Sequence, residues 1–148
     1  MKSKISDNNP EEIRIRAVLE LGNDHSQKSK ELLMQTLSTL NSFVRDAVVK
    51  SLVKIGDDDF LCKNIEHKHR YVRRGIIQAL GQIGGSLASK HIIESLNDKE
   101  WGVRMYAAEA IGKVGNKDHI NLLLPLLKDE HEWPQEQARK SIEKLRNF

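Results

Sequence analysis

The fold is decided by a stretch that this chain carries twice, as VRRGIIQALGQIG at residues 72–84 and as VRMYAAEAIGKVG at residues 103–115. Each copy has an arginine at its second residue, Arg73 in one and Arg104 in the other. Arg45 stands 28 residues before Arg73, and Arg14 stands 31 residues before Arg45. A regular spacing of this length is typical of a repeat protein, in which each copy forms one structural unit. We call the aligned residues the reference positions: Arg14, Arg45, Arg73, Arg104 and Gln135.

Apolar residues recur at fixed distances from the reference positions. They stand one residue before and three, seven and ten residues after, which follows the 3.6-residue period of a helix. A second apolar pattern stands eight, eleven and twelve residues before. Each unit is therefore predicted to be a pair of helices. Gly56, Gly84 and Gly115 are expected to cap the second helices in a left-handed conformation, and Pro125 is expected to shorten a first helix.

The helix pairs predict an all-α fold, a right-handed α-α superhelix that is a solenoid of stacked antiparallel helix pairs. We expect one domain over residues 1–148. A lone opening helix covers 10–22, and four pairs follow at 26–56, 57–85, 86–116 and 117–148. The lone helix has no partner in its own unit, so self-association through this N-terminal helix is an open possibility, and the oligomeric state is left undecided.

Composition and charge exclude few functions. The net charge is +3 and the pI is near 9.0, which alone does not indicate nucleic-acid binding. No apolar run approaches the roughly 20 residues of a membrane span, and the N-terminus lacks the apolar core of a signal peptide. The single cysteine, Cys62, fits a reducing compartment. We therefore expect a cytoplasmic protein that does not span a membrane.

The two repeated stretches resemble HEAT-like repeats, and they are most similar to the 31-residue subtype first named from phycobilisome lyases. In that family, an aspartate six residues before the arginine helps to form a ladder between repeats. Asp98 and Asp129 match that place here, whereas Thr39 and His67 replace it. The resemblance implies the superhelical fold and a scaffold role. It also favours reading the arginine column as a structural ladder over reading it as an anion-binding stripe.

The second helices provide the surface on which we expect a partner. Residues three and two before the reference positions, and one, two and five after, face away from the apolar columns, on the side that is concave in HEAT-like arrays. This side carries five of the seven aromatic residues, with five basic against six acidic residues. Aromatic residues, Met and Arg are enriched in protein interfaces, whereas nucleic-acid surfaces concentrate Lys and Arg. The candidate protein-binding residues are Phe43, Arg70, Tyr71, Arg74, Trp101, Met105, Tyr106, Glu109 and Trp133.

Two functions follow from this pattern. The first is a non-catalytic scaffold module that binds a protein or peptide on the concave face, with nucleic acid an unlikely partner. The alternative is an auxiliary subunit resembling a phycobilisome-lyase component. A structural interpretation also stays open, in which aromatic residues at the helix starts, Phe43 and Trp133 above all, only plug grooves between repeats.

Catalytic and metal-binding patterns are not recognisable in the sequence. Deoxyhypusine hydroxylase, an iron enzyme with similar repeats, carries His-Glu pairs in its second helices, where this chain has Arg74-Gly75 and Met105-Tyr106. Cys62 occupies an apolar column and is expected to be a buried core residue. We predict no enzyme activity, no catalytic residues, no metal site and no cofactor.

Overall fold

The structure is a computed structural model that describes residues 9–147, apart from the side chains of residues 86–88. That part of the chain is helical and contains no strand, which confirms the all-α prediction. The α-helices are α1 Pro10–Leu21, α2 Gln27–Thr36, α3 Ser42–Ile55, α4 Asp58–Lys63, α5 Arg70–Ile83, α6 Ser86–Ser95, α7 Trp101–Val114, α8 Ile120–Leu123 and α9 Glu132–Arg146, and 3-10 segments cover Lys117–His119 and Leu124–Lys128.

The helices are arranged in two layers. In one layer α1, α3, α5, α7 and α9 pack one against the next in chain order. In the other layer α2, α4, α6 and α8 each pack against the following helix of the first layer. This is the stacking of a solenoid, in which each unit contacts its sequence neighbours. We call α3, α5, α7 and α9 the second helices, and their solvent side the second-helix face.

The core lies between the two layers and is lined by the predicted apolar columns. The four residues that stand twelve before a reference position are at most 1% exposed: Leu33, Leu61, Ile92 and Leu123. The first unit departs from the pattern, because Ile13 is 50% exposed and Ala17 is also exposed. These two residues belong to columns that other units cover with a first helix, and no described helix precedes α1 to cover them.

The reference positions tie each second helix to the turn before it. Arg45, Arg73 and Arg104 each donate from Nη1 to the carbonyl six residues earlier, over 2.7, 2.9 and 2.8 Å. Gln135 makes the same bond through Nε2 to the carbonyl of Asp129 at 2.5 Å. The amide of Gln135 therefore takes the place of a guanidinium, which explains why the repeat continues without an arginine.

Two of the arginines also bind the next unit. Arg73 donates from Nε and Nη2 to both oxygens of Asp98, at 3.0 and 3.1 Å. Arg104 binds Asp129 in the same way, at 2.7 and 2.9 Å. Both arginine side chains are at most 10% exposed, so these bidentate pairs are structural links between units. The ladder interpretation is the one that the geometry supports.

Small residues allow the second helices to approach closely. Ser51 donates from its hydroxyl to the carbonyl of Val18, and Ser141 does the same to the carbonyl of Ala108, at 2.9 and 2.8 Å. A Cβ on Gly112 would lie 2.6 Å from the Ser141 hydroxyl oxygen. Glycine at this place is therefore required by the packing of α7 on α9.

Two helix ends differ from the prediction. Gly56 has φ 70° and ψ 21° and caps α3 in the expected left-handed conformation. Gly84 has φ 76° but ψ −166°, and Gly115 is extended with φ −84°, so the prediction of a left-handed cap is wrong at these two glycines. As expected, Pro125 interrupts a helix, and 3-10 turns surround the short α8. The 3-10 geometry changes the register of side chains, and Leu124 is consequently 41% exposed although it belongs to an apolar column.

Candidate functional site

Aromatic side chains stand at the starts of all four second helices. Trp101 is the first residue of α7, and Phe43, Tyr71 and Trp133 are the second residues of α3, α5 and α9. Because these helices stack in order and run in the same direction, their N-terminal ends lie along one edge of the layer. We call these four residues the aromatic row.

Tyr71 is surrounded by guanidinium groups. The Cζ atoms of Arg45, Arg70 and Arg74 lie 4.2, 5.0 and 5.2 Å from the centre of its ring. Each of these distances is within the range of a cation–π interaction, which is worth about 0.5–2 kcal/mol. Tyr71 is therefore contacted by guanidinium groups from both α3 and α5.

Trp101 is held from two sides. The Cζ atom of Arg74 lies 4.7 Å from its ring centre, and the imidazole of His131 stacks on the indole with centres 5.1 Å apart and planes inclined by 19°. His131 precedes α9, so the stack joins two neighbouring units. Tyr71, Arg74 and Trp101 therefore form one continuous cluster.

Arg74 is not available to a partner's carboxylate, contrary to what its exposed column suggested. It donates from Nε and Nη2 to the two carboxylate oxygens of Glu100, at 2.8 and 2.5 Å. The hydrogen bond to Glu100 raises the pKa of Arg74. Burial would raise the pKa of Glu100, but hydrogen bonds from Arg74 and from the backbone N–H groups of Gly102 and Val103 hold it below its usual range.

Gly102 leaves the space that this ion pair occupies. A Cβ built on Gly102 would overlap the Arg74 guanidinium group. Glu100 is also the N-cap of α7, and its side chain accepts a hydrogen bond from the Val103 N–H at 3.2 Å. The pair is therefore fixed by both α5 and α7, and Arg74 acts as a bridge between Tyr71 and Trp101.

The remaining candidates on α7 lie further along the helix. Tyr106 is partly buried against the core, and burial raises the pKa of its hydroxyl. Met105 and Glu109 are partly exposed, and the Glu109 carboxylate pairs with Lys113 at 2.9 Å. Tyr106 and Glu109 line a small depression between α5 and α7, whose floor includes Gly81. The Tyr106 side chain therefore both packs against the core and contributes to the surface.

Phe43 and Trp133 lie at the two ends of the row and are well exposed, at 66% and 57%. Neither side chain fills a groove between repeats, so the structural interpretation is wrong for these two residues. Trp133 borders a shallow depression with Gln135 and Arg139. Exposed aromatic side chains of this size offer apolar area to a partner at low cost in conformational entropy.

Arg45 is in the ladder column and also lies against Tyr71 of the aromatic row. Its Nη1 bond to the Thr39 carbonyl is kept, but the next unit has His67 where the two units after it have Asp98 and Asp129. The sequence feature that distinguishes Arg45 from Arg73 and Arg104 is the absence of an aspartate at position 67, in the next unit. Glu100 and His131 were also missed, because neither lies in the columns taken as the binding face.

No group of three or more His, Cys, Asp or Glu side chains that could hold a metal ion occurs within the described residues. None of the helices described above is both long and apolar enough to cross a membrane. Cys62 is buried, as expected, and burial raises the pKa of its thiol.

Comparison with solved structures finds similar folds. The chain is similar to the complex of CpcE and CpcF of phycocyanin lyase from Nostoc sp. PCC7120, with a TM-score of 0.63 and 20% identity over 98% of this chain and 62% of that chain. It therefore spans less than two thirds of the lyase chain. It is also similar to an engineered protein of the Northeast Structural Genomics Consortium, with a TM-score of 0.55 and 18% identity over 95% of this chain and 76% of that one.

Comparison with sequences identifies the repeats. No curated protein matches the chain. The family model for HEAT repeats matches residues 2–63 and 59–143. These two matches include every reference position from Arg14 to Gln135 and both of the stretches that resembled HEAT-like repeats. The chain belongs to the HEAT-repeat family.

Proposed function

We propose that this protein is a non-catalytic scaffold module that binds a protein or peptide along its second-helix face, which we take to be the concave side. The observation that carries the proposal is the continuous cluster of Tyr71, Arg74 and Trp101, with exposed aromatic residues on either side. The proposed contact residues are Phe43, Arg70, Tyr71, Arg74, Trp101, Met105, Tyr106, Glu109 and Trp133.

Pre-organisation of the cluster supports this role. Trp101 is held between Arg74 and His131, and Tyr71 is held by three guanidinium groups. Side chains that are already fixed lose little conformational entropy when a partner binds. The centres of protein interfaces are rich in Trp, Tyr and Arg for this reason among others.

The charge on the second-helix face favours a protein over nucleic acid. Asp46 and Glu136 are exposed on this face, and Glu109 is partly exposed. These carboxylates would repel a phosphate backbone that followed the array, and phosphate neutralisation dominates nucleic-acid affinity. A random DNA duplex is therefore expected to bind weakly.

Affinity capture with matched variants tests the proposal. The wild-type protein, Trp101→Ala and Leu32→Ala would be used to capture partners from cells that contain it, followed by mass spectrometry. Leu32 is 41% exposed on α2, in the opposite layer, so its variant removes a comparable apolar side chain away from the proposed face. We expect a protein that Trp101→Ala loses and Leu32→Ala retains, with unchanged circular dichroism. Equal recovery by all three proteins would contradict the proposal.

A second candidate function is an auxiliary subunit resembling a phycobilisome-lyase component. Its support is the similarity, over 98% of this chain, to a complex of two lyase proteins. In this role the module would pair with another protein and help to place a chromophore on a third. The test is to mix the protein with a bilin and a captured partner and to follow the absorption spectrum. An unchanged spectrum, with partner binding intact, would favour the simple scaffold.

The extent and environment of the module are also proposals. We propose that the lone helix and four helix pairs act as one domain in the cytoplasm, where a free thiol such as Cys62 stays reduced. Self-association through α1 would cover Ile13, which is 50% exposed. Sedimentation of the wild type and of Ile13→Asp would show whether that helix joins two copies.

A further inference from the structure

Arg45, the arginine of the second unit, has no aspartate opposite it in the next unit, where His67 stands in that place. Arg73 and Arg104 each present Nε and Nη2 to an aspartate of the next unit, while Nη1 holds a carbonyl of their own unit. Arg45 makes the same carbonyl bond to Thr39 at 2.7 Å. Within residues 9–147, however, no carboxylate lies within 4.0 Å of its guanidinium group, as the ion pairs of this range show.

His67 explains why Arg45 has no carboxylate partner. At this place Asp98 and Asp129 use one oxygen to accept the N–H two residues later, at 2.9 Å in both units, and still bind an arginine. His67 accepts the N–H of His69 through Nδ1 at 3.0 Å, so it performs the first task. Burial and the neighbouring cations lower the pKa of His67, and a neutral imidazole offers Arg45 no negative charge.

A second unpaired cation lies beside the first. Arg70 is exposed, its Cζ lies 5.0 Å from the centre of the Tyr71 ring, and Arg45 lies 4.2 Å from the same ring. Arg70 also has no carboxylate within 4.0 Å among the residues that the structure describes. By contrast, Arg74, the third cation at this ring, is neutralised by Glu100. Positive charge without an internal counter-ion is therefore concentrated at Arg45 and Arg70.

We infer that Arg45, Arg70 and Tyr71 form a subsite for a carboxylate of an acidic segment in the protein partner. This inference rests on the proposed function, because it assigns one contact within that binding face. The carboxylate would complete the missing link of the ladder by accepting hydrogen bonds from the Arg45 guanidinium. The exposed Arg70 would bind the second oxygen or a neighbouring acidic side chain, and Trp101 would contact the adjoining apolar part of the segment.

Carboxylate is favoured over phosphate as the ligand by the chemistry of the equivalent sites. Arg73 and Arg104, which are fully engaged in the ladder, each bind an aspartate in a bidentate geometry. Arg45 makes the same bond to a backbone carbonyl as these two arginines do. A single acidic side chain needs to approach only the two arginines.

The test uses a fluorescent oligo-glutamate peptide and an oligo-glutamine peptide of the same length, with binding followed by anisotropy at low salt. The variants are Arg45→Gln and Arg70→Gln, and the matched control is Arg16→Gln, which removes one exposed positive charge from α1. Arg45→Gln is expected to fold, because Gln135 already makes the equivalent carbonyl bond. We expect oligo-glutamate to bind in preference to oligo-glutamine and each site variant to weaken binding about tenfold, against less than about twofold for the control.

His67→Asp gives an independent measurement. An aspartate at this place would bind Arg45 from within the chain, so thermal stability should rise while oligo-glutamate affinity falls about tenfold. His67→Asp and Arg16→Gln change the net charge by the same amount, so a general electrostatic effect would lower the oligo-glutamate affinity of both variants equally. Such an equal loss would overturn the subsite.

Two further outcomes would also overturn it. One is wild-type protein that does not distinguish the two peptides. The other is a random DNA duplex that binds more tightly than oligo-glutamate and is weakened by the same two arginine variants. Neither outcome decides the proposed function, which depends on the separate loss of captured partner in Trp101→Ala.

Discussion

Replacing Asp129 by asparagine removes one charge from the ladder and keeps a side chain of nearly the same shape. Asp129 binds Nε and Nη2 of Arg104 at 2.7 and 2.9 Å, and the two side chains are only 6% and 10% exposed. Asparagine can still accept the His131 N–H, so the turn is preserved. The Arg104 charge would then be buried without its counter-ion. Breaking a buried pair from one side costs about 3–5 kcal/mol.

This loss is large enough to measure with a matched control. At roughly 2–4 °C per kcal/mol for a chain of this size, Asp129→Asn is expected to melt about 6–20 °C lower than wild type. Glu130→Gln removes an adjacent charge that lies 3.8 Å from Arg104 but is 82% exposed, and should change stability by less than about 1 kcal/mol. Urea unfolding would measure the change in unfolding free energy of each variant relative to wild type. Equal changes in the two would refute the view that the ladder holds neighbouring units together.

The same pair predicts a dependence on pH. Burial would raise the pKa of Asp129, but hydrogen bonds from Arg104 and from the His131 N–H outweigh it and lower the pKa in the folded protein. Its stabilising contribution is therefore present above the unfolded value of about 3.9 and is lost as the pH falls through the lower folded value. Below about pH 4, the unfolding free energy of wild type should consequently fall more steeply than that of Asp129→Asn. Parallel slopes would contradict this assignment.

Three further predictions concern packing. Gly112→Ala should lower stability by about 1–3 kcal/mol in urea unfolding, because its Cβ would lie 2.6 Å from the Ser141 hydroxyl oxygen, and adding Ser141→Gly should recover part of the loss. Cys62 should react slowly with iodoacetamide in the folded protein and quickly in urea, since burial protects the thiol and raises its pKa; equal rates would show an open core. Leu33→Ala should cost about 2–5 kcal/mol, whereas Leu32→Ala, from a side chain that is 41% exposed, should cost less than about 1 kcal/mol.

The second helices were predictable because their apolar residues repeat with the helix period in several copies. The apolar residues at fixed distances from Arg45 and Arg73 predict a second helix around each of them, and the structure has Ser42–Ile55 and Arg70–Ile83. Each column is sampled several times, so a single unusual residue does not hide it. Gln135 illustrates this, because the step of 31 residues locates it before any contact is known, and its amide then makes the arginine's bond.

Contacts between units were harder to predict, because they join residues from two different columns. Arg74 and Glu100 are separated by 26 residues and bind only because α5 and α7 stack with a particular offset. The column pattern gave Arg74 a place on the second-helix face, but it could not show that Glu100 would neutralise it. Stacking of His131 on Trp101 depends on the same offset.

Local irregularities account for the other differences. Ile13 obeys the column pattern but is exposed, since burial in that column needs a first helix that α1 lacks. Leu124 also obeys it, but the 3-10 turns around Pro125 rotate it outward. In both cases the sequence shows which residue type occupies a place, while burial is decided by a neighbouring element.

The place six residues before each reference position from Arg45 to Gln135 affects both the local turn and the charge pairing of the preceding arginine. Its side chain accepts the N–H two residues later in all four units, through Thr39, His67, Asp98 and Asp129. Only the two aspartates can also neutralise the arginine of the preceding unit. A substitution that preserves the turn can therefore release an arginine without unfolding the array. Because neighbouring units in a solenoid contribute their interface energies separately, the loss of one ion pair is confined to one interface, where the Arg45 guanidinium instead lies over the Tyr71 ring.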